Sequence, residues 1–465
     1  MAAEPLVDAE LAHRIVARAL DRGGDFAELF CEDRSGFSLS IDESRIERAQ
    51  RGSDRGAGVR VVTGETTYFA HVDGLAEADL ERAADAAAAA LSGDRREPQA
   101  LAADEPVVAQ EIETDPATVP PERKAELLRA CDARARGAGA EVTQAQAGYS
   151  EARRGITVAN SDGRLAADDR TRVRLGVQVV AARDGTVETG FETLGGHRGF
   201  ELVEGGAGEA IAERAARAAL TLLDAGPAPA GAMPVVVGNG FGGVLFHEMT
   251  GHGLEADHIQ KGASVYAGKL GKDIAPAFLR AYDDGRLPGE WGTEGIDDEG
   301  TPTQATAVIH EGRVTAYLYD LLRARKDNVS STGNGRRQSF RHLPIPRMTN
   351  TFIAPGDATP EELIAEVERG FYAVSFAGGQ VDPTTGDFVF GVSEGYLIEG
   401  GEVTSPCRGA SLIGNCLNTL RKIDGVAGDF EIKTGFCGKE GQSVPTGVGQ
   451  GHVRIAEMTV GGTAV

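Results

Sequence analysis

Long apolar runs are missing from this sequence: nothing in it approaches the roughly 18 consecutive apolar residues of a membrane-spanning helix. The opening MAAEPLVDAE lacks the basic and apolar regions of a secretory signal, so a cytosolic (cytoplasmic) protein is expected. Cysteine is scarce. Cys31, Cys131, Cys407, Cys416 and Cys437 are odd in number and scattered, which excludes a disulfide framework and suits a reducing compartment. A basic excess is absent as well, since 47 Lys and Arg stand against 70 Asp and Glu for a formal charge of −23. That balance argues against nucleic acid or an anionic membrane as partner. Aromatics are only 6%, while glycine is plentiful at 63 residues, a composition of many tight turns in an otherwise ordinary globular chain. At about 150 residues per domain, the length fits two or three domains.

Along the chain, Leu11, Ile15, Ala19 and Leu20 recur at helical spacing behind Asp8 as N-cap. Phe37, Leu39 and Ile41 then alternate with polar residues, and Val59, Val61 and Tyr68-Phe69-Ala70 follow, which reads as antiparallel sheet. Helices are expected at 76–91, 121–136 and 207–224. Between the last two, the turn signals Ser161-Asp162-Gly163 and Arg183-Asp184-Gly185 separate strand-like runs. Residues 93–121, with Pro98, Pro106, Pro116, Pro120 and Pro121, read as a surface connection between two subdomains. The stretch GPAPAGAMP at 226–234 is the best domain boundary. The expected fold is α+β: an N-terminal helix and antiparallel-sheet domain over 1–226, then a strand-rich C-terminal catalytic domain over 234–465, clearly helical only at 360–370.

The densest chemistry lies in FGGVLFHEMTGHGLEADH at 241–258. His247 and His252 are candidate metal ligands, and Glu248 is a candidate base. In a regular helix of about 100° per residue, ligands five apart diverge by roughly 140°, too far for one zinc. Either the helix overwinds into a π-bulge, or it ends near Gly251 and His252 swings back. A catalytic zinc needs a third ligand, and two candidates stand: Glu255, three residues on, and Cys437 in a glycine-rich loop. Cys407 and Cys416 read as structural. His258 and the acidic turns Asp283-Asp284 and Asp297-Asp298-Glu299 read as solvated loop residues. The glycines at 238–243 resemble a nucleotide loop only superficially, because no G-K-[S/T] follows.

Four ordered blocks, FGGVLFHEMTGHGLEAD, STGNGRRQSFRHLPIPRMTN at 331–350, GGQVDPTTGDFVF at 378–390 and CGKEGQSVPTGVGQ at 437–450, together resemble the TldD branch of the TldD/PmbA metallopeptidases. The match runs from about 235 to the C-terminus and is looser before it. The resemblance implies a zinc (Zn2+) peptidase with His247, His252 and Cys437 on the metal and Glu248 as general base. It further implies cleavage of extended, unstructured peptides, including precursors of peptide antibiotics. The implied assembly is a dimer, either with a related TldE/PmbA-like subunit lacking the motif or with a second copy. Zinc lowers the pKa of its water toward about 7. A thiolate ligand weakens its Lewis acidity, so Arg336, Arg337, His342 and Arg347 are candidates for oxyanion or substrate contacts. The competing readings are a cysteine hydrolase using Cys437 and a peptide-binding subunit with structural zinc.

Overall fold

Alternation in the N-terminal half produces one long antiparallel sheet. The computed structural model describes residues 3–103 and 111–462; Pro106 of the proline-rich connection and Thr463-Ala464 at the C-terminus lie outside the described residues. Strands β1 (Phe26–Asp42), β2 (Arg45–Thr63), β3 (Thr66–Asp73), β4 (Val142–Asn160), β5 (Arg164–Arg183) and β6 (Thr186–Gly196) are ordered β3-β2-β1-β4-β5-β6, every pair antiparallel. Asp184 and Gly185 both take positive φ in the β5–β6 turn, as a two-residue hairpin loop requires.

On one face of this sheet, Leu29, Cys31, Phe37, Leu39 and Ile41 of β1 are buried. Helices α1 (Ala9–Ala19), α2 (Glu77–Ala88), α3 (Pro121–Arg136) and α4 (Ala207–Leu223) cover them. Asp8 accepts the Leu11 N–H at 2.8 Å, and Pro121 opens α3. These helices lie where the patterning predicts them.

The opposite face is polar and turns toward the C-terminal half. At one end Phe30, Ile156 and Val158 meet Ile296 and Phe340. Around this contact, buried arginines of the sheet pair with buried acids: Arg60 with Glu28 and Glu299, and Arg170 with Asp168, Glu294 and Asp298. The reading of the acidic turns as solvated is therefore corrected. Asp297, Asp298 and Glu299 are at most 1% exposed, and Asp283 accepts from Asn334, Thr349 and Thr351. The arginines that compensate Asp298 and Glu299 come from strands more than a hundred residues away, and the partners of Asp283 lie at least 51 residues on, which local composition does not reveal.

The C-terminal half adds strands β7 (Gly231–Val237), β8 (Ala281–Asp284), β9 (Ala305–His310), β10 (Asn350–Ile353), β11 (Arg369–Val381), β12 (Asp387–Glu399), β13 (Ser411–Asn415), β14 (Glu431–Lys439), β15 (Gln442–Gln450) and β16 (Val453–Gly461). In one sheet the two-residue strand Arg313–Val314 is followed by β9, β8, β10, β15 and β14. In the other, β11, β7, β16, β13 and β12 pair in turn, and β12 pairs back to β11. The helix expected at 360–370 spans Pro360–Ala365 behind a Thr359/Glu362 capping box, and β11 begins at Arg369. Short helices also form at Ala256–Gln260, Leu321–Asp327 and Cys416–Arg421, correcting the expectation of a single one; five to seven residues are too few to display a helical period.

Candidate metal centre

Strand β7 ends at Val237, and the glycines after it lead into the one-turn helix α5 (Gly243–Phe246). A Cβ at Gly243 would lie 2.5 Å from the Gly449 nitrogen, so these glycines let α5 press against β15. Next comes a π-turn over His247–Gly251, in which the His252 N–H donates to the His247 carbonyl five residues back. Of the two geometries open to the i+5 spacing, the overwound one is adopted, and it brings both histidines to one side. The Met249 carbonyl accepts the Tyr266 hydroxyl at 2.7 Å. Gly251 is packed so tightly that a Cβ there would stand 1.8 Å from Met348 Sδ.

The two imidazoles lie 5.2 Å apart, centroid to centroid, at 84°. Cys437 on β14 brings its Sγ to 3.3 Å from His252 Nε2. One ligand atom from each of His247, His252 and Cys437 lies within 4.8 Å of the others, and all three residues are buried. For comparison, nitrogen and sulfur ligands on a tetrahedral zinc sit about 3.5 Å apart, given bonds of about 2.0–2.1 and 2.3 Å. His247 Nδ1 is buried without a hydrogen-bond partner among the described residues. Two imidazoles, a thiolate and an orphaned ring nitrogen fit a zinc ion. Burial pushes the Cys437 thiol up, but the charge of His252 and a hydrogen bond from His247 outweigh it and hold the group well below the usual thiol range. Burial likewise opposes charge on His252, yet Cys437 and Glu255 raise it well above the ordinary imidazole value.

Glu248 reaches the same centre from its open side, 24% exposed, with Oε2 4.0 Å from His252 Nε2. Glu255 occupies the outer nitrogen of His252, Oε2 to Nδ1 at 3.0 Å. It braces that ring, while Cys437 stands at the inner nitrogen. Lys439 bridges Glu255 at 3.0 Å and Asp257 at 2.6 Å. Although burial opposes ionisation, Lys439 and His252 hold the Glu255 carboxyl down to about 2. Glu255, Asp257 and His258 also cluster, but the Lys439 ammonium already serves two of them as counter-cation. His258 is partly buried, with Nε2 4.0 Å from Glu255.

The four residues considered for oxyanion contacts are engaged elsewhere. Arg336 binds Glu294 and the Met348 carbonyl, and Arg337 binds Glu28 and the Asp298 carbonyl. His342 meets Ser339 at 2.9 Å. Arg347 donates to the carbonyls of Cys437 and Gln442, clamping the β14–β15 hairpin from behind. Sequence reasoning missed Lys439. Period two places it on the same strand face as Cys437, a usable signal.

The buried cluster of His247, His252 and Cys437 beside Glu248 is a candidate metal centre, and comparison with known proteins indicates the class of protein that carries it. Residues 230–462 match the PmbA/TldA metallopeptidase C-terminal domain, 114–223 the central domain and 27–91 domain 1. The chain is 41% identical to the Metalloprotease TldD homolog of Haemophilus influenzae over 95% of its own length and 94% of the relative's. It is 33% identical to a metalloprotease of Methanothermobacter thermautotrophicus, over 94% and 96%, and 35% identical to the zinc metalloprotease TldD homolog of Saccharolobus solfataricus over 50% and 52%. The chain belongs to the PmbA/TldD metallopeptidase family. Its fold matches solved TldE from Thermococcus kodakarensis with TM-score 0.79 at 20% identity, covering 97% and 98% of the two chains. A solved chain from Thermotoga maritima matches with TM-score 0.80 at 21%, covering 97% and 99%.

Proposed function

We propose that this chain is a zinc-dependent peptidase in which His247, His252 and Cys437 hold the metal and Glu248 moves the proton. The observation that carries the reading is the convergence of buried ligand atoms from segments 185 residues apart, with a partly open carboxylate beside them. Zinc bound there supplies Lewis acidity and lowers the pKa of water toward about 7. Glu248 takes a proton from the attacking water and delivers it to the leaving amine nitrogen. Glu255 fixes the His252 tautomer and ring, and Lys439 fixes Glu255.

The substrate in this reading is an extended, unstructured peptide. Among the described residues, strand β14 is the edge of its sheet and pairs with β15 alone, so its outer backbone groups can accept an added strand. A compact folded protein presents no such strand and is excluded. The reading includes a dimer, with a related TldE/PmbA-like subunit lacking the motif or with a second copy; a solved TldE chain shares this fold. Among the described residues no helix is long and apolar enough to cross a membrane, which accords with a cytoplasmic enzyme. The division near 226–234 then separates the N-terminal domain from a C-terminal catalytic one. The Cys437–His252 contact favours a cysteine hydrolase as second reading, but it leaves His247 and Glu248 without work.

Cleavage of an unstructured peptide, measured beside zinc content, tests the proposal. Glu248→Gln is expected to keep zinc and to lose activity by a factor of about 10² to 10⁴. A variant that still cleaves at the wild-type rate contradicts it.

A further inference from the structure

The helix-free face of the N-terminal sheet is only half occupied. Beyond the buried ion pairs it carries small or polar residues, among them Ser38 on β1, Gln50 on β2, Gly148 and Ser150 on β4 and Gly176 on β5. The result is a trough in two connected parts of about 1060 and 650 Å³, which share Ser38, Gln50 and Ser150. Phe436 forms part of its wall. That residue precedes Cys437 on edge strand β14, so the trough adjoins the strand that bears the metal centre.

Two hydrogen-bond donors flank Phe436 with nothing to bind. Trp291 is 5% exposed, lines the trough, packs edge-on to Phe436 at 5.6 Å, and its buried Nε1 has no partner. Arg174, also in the lining, sits 5.7 Å from the Phe436 ring, and its buried Nε is likewise unpartnered. No salt bridge reaches Arg174 among the described residues, whereas Arg60, Arg154, Arg170, Arg172, Arg336 and Arg337 are all paired. Burial, with no carboxylate opposing it, pulls the Arg174 guanidinium below its usual value. Of the trough's acids, Glu151 is held by Lys124 and Tyr149, Asp42 by Gln144 and Gln146, and Asp54 by Arg341, while exposed Glu47 forms no salt bridge among the described residues. An uncompensated, half-buried cation is costly unless a ligand supplies the opposite charge.

We propose that the trough is a substrate subsite in which a carboxylate of the extended peptide is held by the guanidinium of Arg174. The proposal rests on the peptidase reading and adds a preference to it: acidic or free-carboxylate peptides over neutral ones. Such a preference is unexpected for a protein of charge −23. Peptide laid along the β14 edge has Phe436 beside it, and the guanidinium provides directional donors to carboxylate oxygens.

The test uses full-length protein carrying Glu248→Gln and three unstructured dodecapeptides labelled with an uncharged boron-dipyrromethene dye. One is neutral and C-terminally amidated, one is neutral with a free C-terminus, and one is amidated with a single central glutamate. Anisotropy is expected to show at least tenfold tighter binding for one carboxylate-bearing peptide than for the neutral amide, and which one identifies the source of the carboxylate. Adding Arg174→Met is expected to erase that gain, so that the carboxylate-bearing peptides bind no tighter than the neutral amide. Gly148→Leu, at a position where a Cβ meets nothing within 4 Å, puts an isobutyl group into the trough and is expected to weaken all three at least fivefold. Equal affinities for all three peptides, or a preference that survives Arg174→Met, overturns the proposal. So does loss of dimer in both variants with unchanged peptide binding, because a second chain then occupies the trough. Absence of cleavage by wild type contradicts the peptidase reading separately, since the binding preference is read without turnover.

Discussion

Lys439 is the residue that most extends the candidate centre beyond its motif. It lies two positions after Cys437, joins Glu255 to Asp257, and through Glu255 sets the orientation of His252. A carboxylate on the outer nitrogen of a ligand histidine raises ligand basicity and fixes the tautomer. Glu255→Gln retains shape and a hydrogen bond but loses the charge; Lys439→Met leaves Glu255 buried without its cation. Both are expected to weaken zinc binding by about 10- to 100-fold, measured by competition with a chromogenic chelator. Affinity equal to wild type in both variants removes the bracing role. His247, Glu248, His252 and Cys437 were all visible in the sequence as residues. The sequence spacing left Glu255 and Cys437 open as third ligand, because that choice depends on a strand 185 positions away from His252.

The π-turn from His247 to Gly251 is the element on which the histidine geometry depends. Its backbone is ordinary, with Gly251 at φ −56, so glycine is required there for space and not for conformation. Gly251→Ala drives a methyl into Met348 and is expected to cost about 1–3 kcal/mol of stability, read by chemical denaturation. Adding Met348→Ala relieves the clash, so this second substitution is expected to cost less in the Gly251→Ala background than in the wild type; no effect of Gly251→Ala contradicts the packing. Sequence reasoning reached this element as far as two alternatives, since a five-residue ligand spacing excludes a regular helix but does not choose its distortion. Longer elements were more legible. Helix α3 begins at Pro121 and ends at Arg136 as its pattern indicates, because sixteen residues display a period that Ala256–Gln260 or Cys416–Arg421 cannot.

At the scale of the whole molecule, the two halves are joined by buried charge. Arg170, fully buried on β5, binds Asp168 of its own strand and Glu294 and Asp298 of the C-terminal half. Removing one member of such a network leaves uncompensated acids, so Arg170→Met is expected to cost about 3–5 kcal/mol, seen as an earlier unfolding transition in denaturant. An unchanged midpoint contradicts the network's role. This junction was invisible in the sequence, where Asp297-Asp298-Glu299 looked like a solvated turn. The same sheet face that binds the C-terminal half at one end forms the trough beyond it, against Phe436 of the strand carrying Cys437. Everything proposed for function converges on the metal, and the most direct measurement is X-ray absorption at the zinc edge of the purified full-length protein. The expected spectrum contains one sulfur neighbour at about 2.3 Å and two imidazole nitrogens at about 2.0–2.1 Å, with the sulfur lost in Cys437→Ser. A zinc shell of nitrogen and oxygen alone in the wild type, or a fully active protein without zinc, contradicts it.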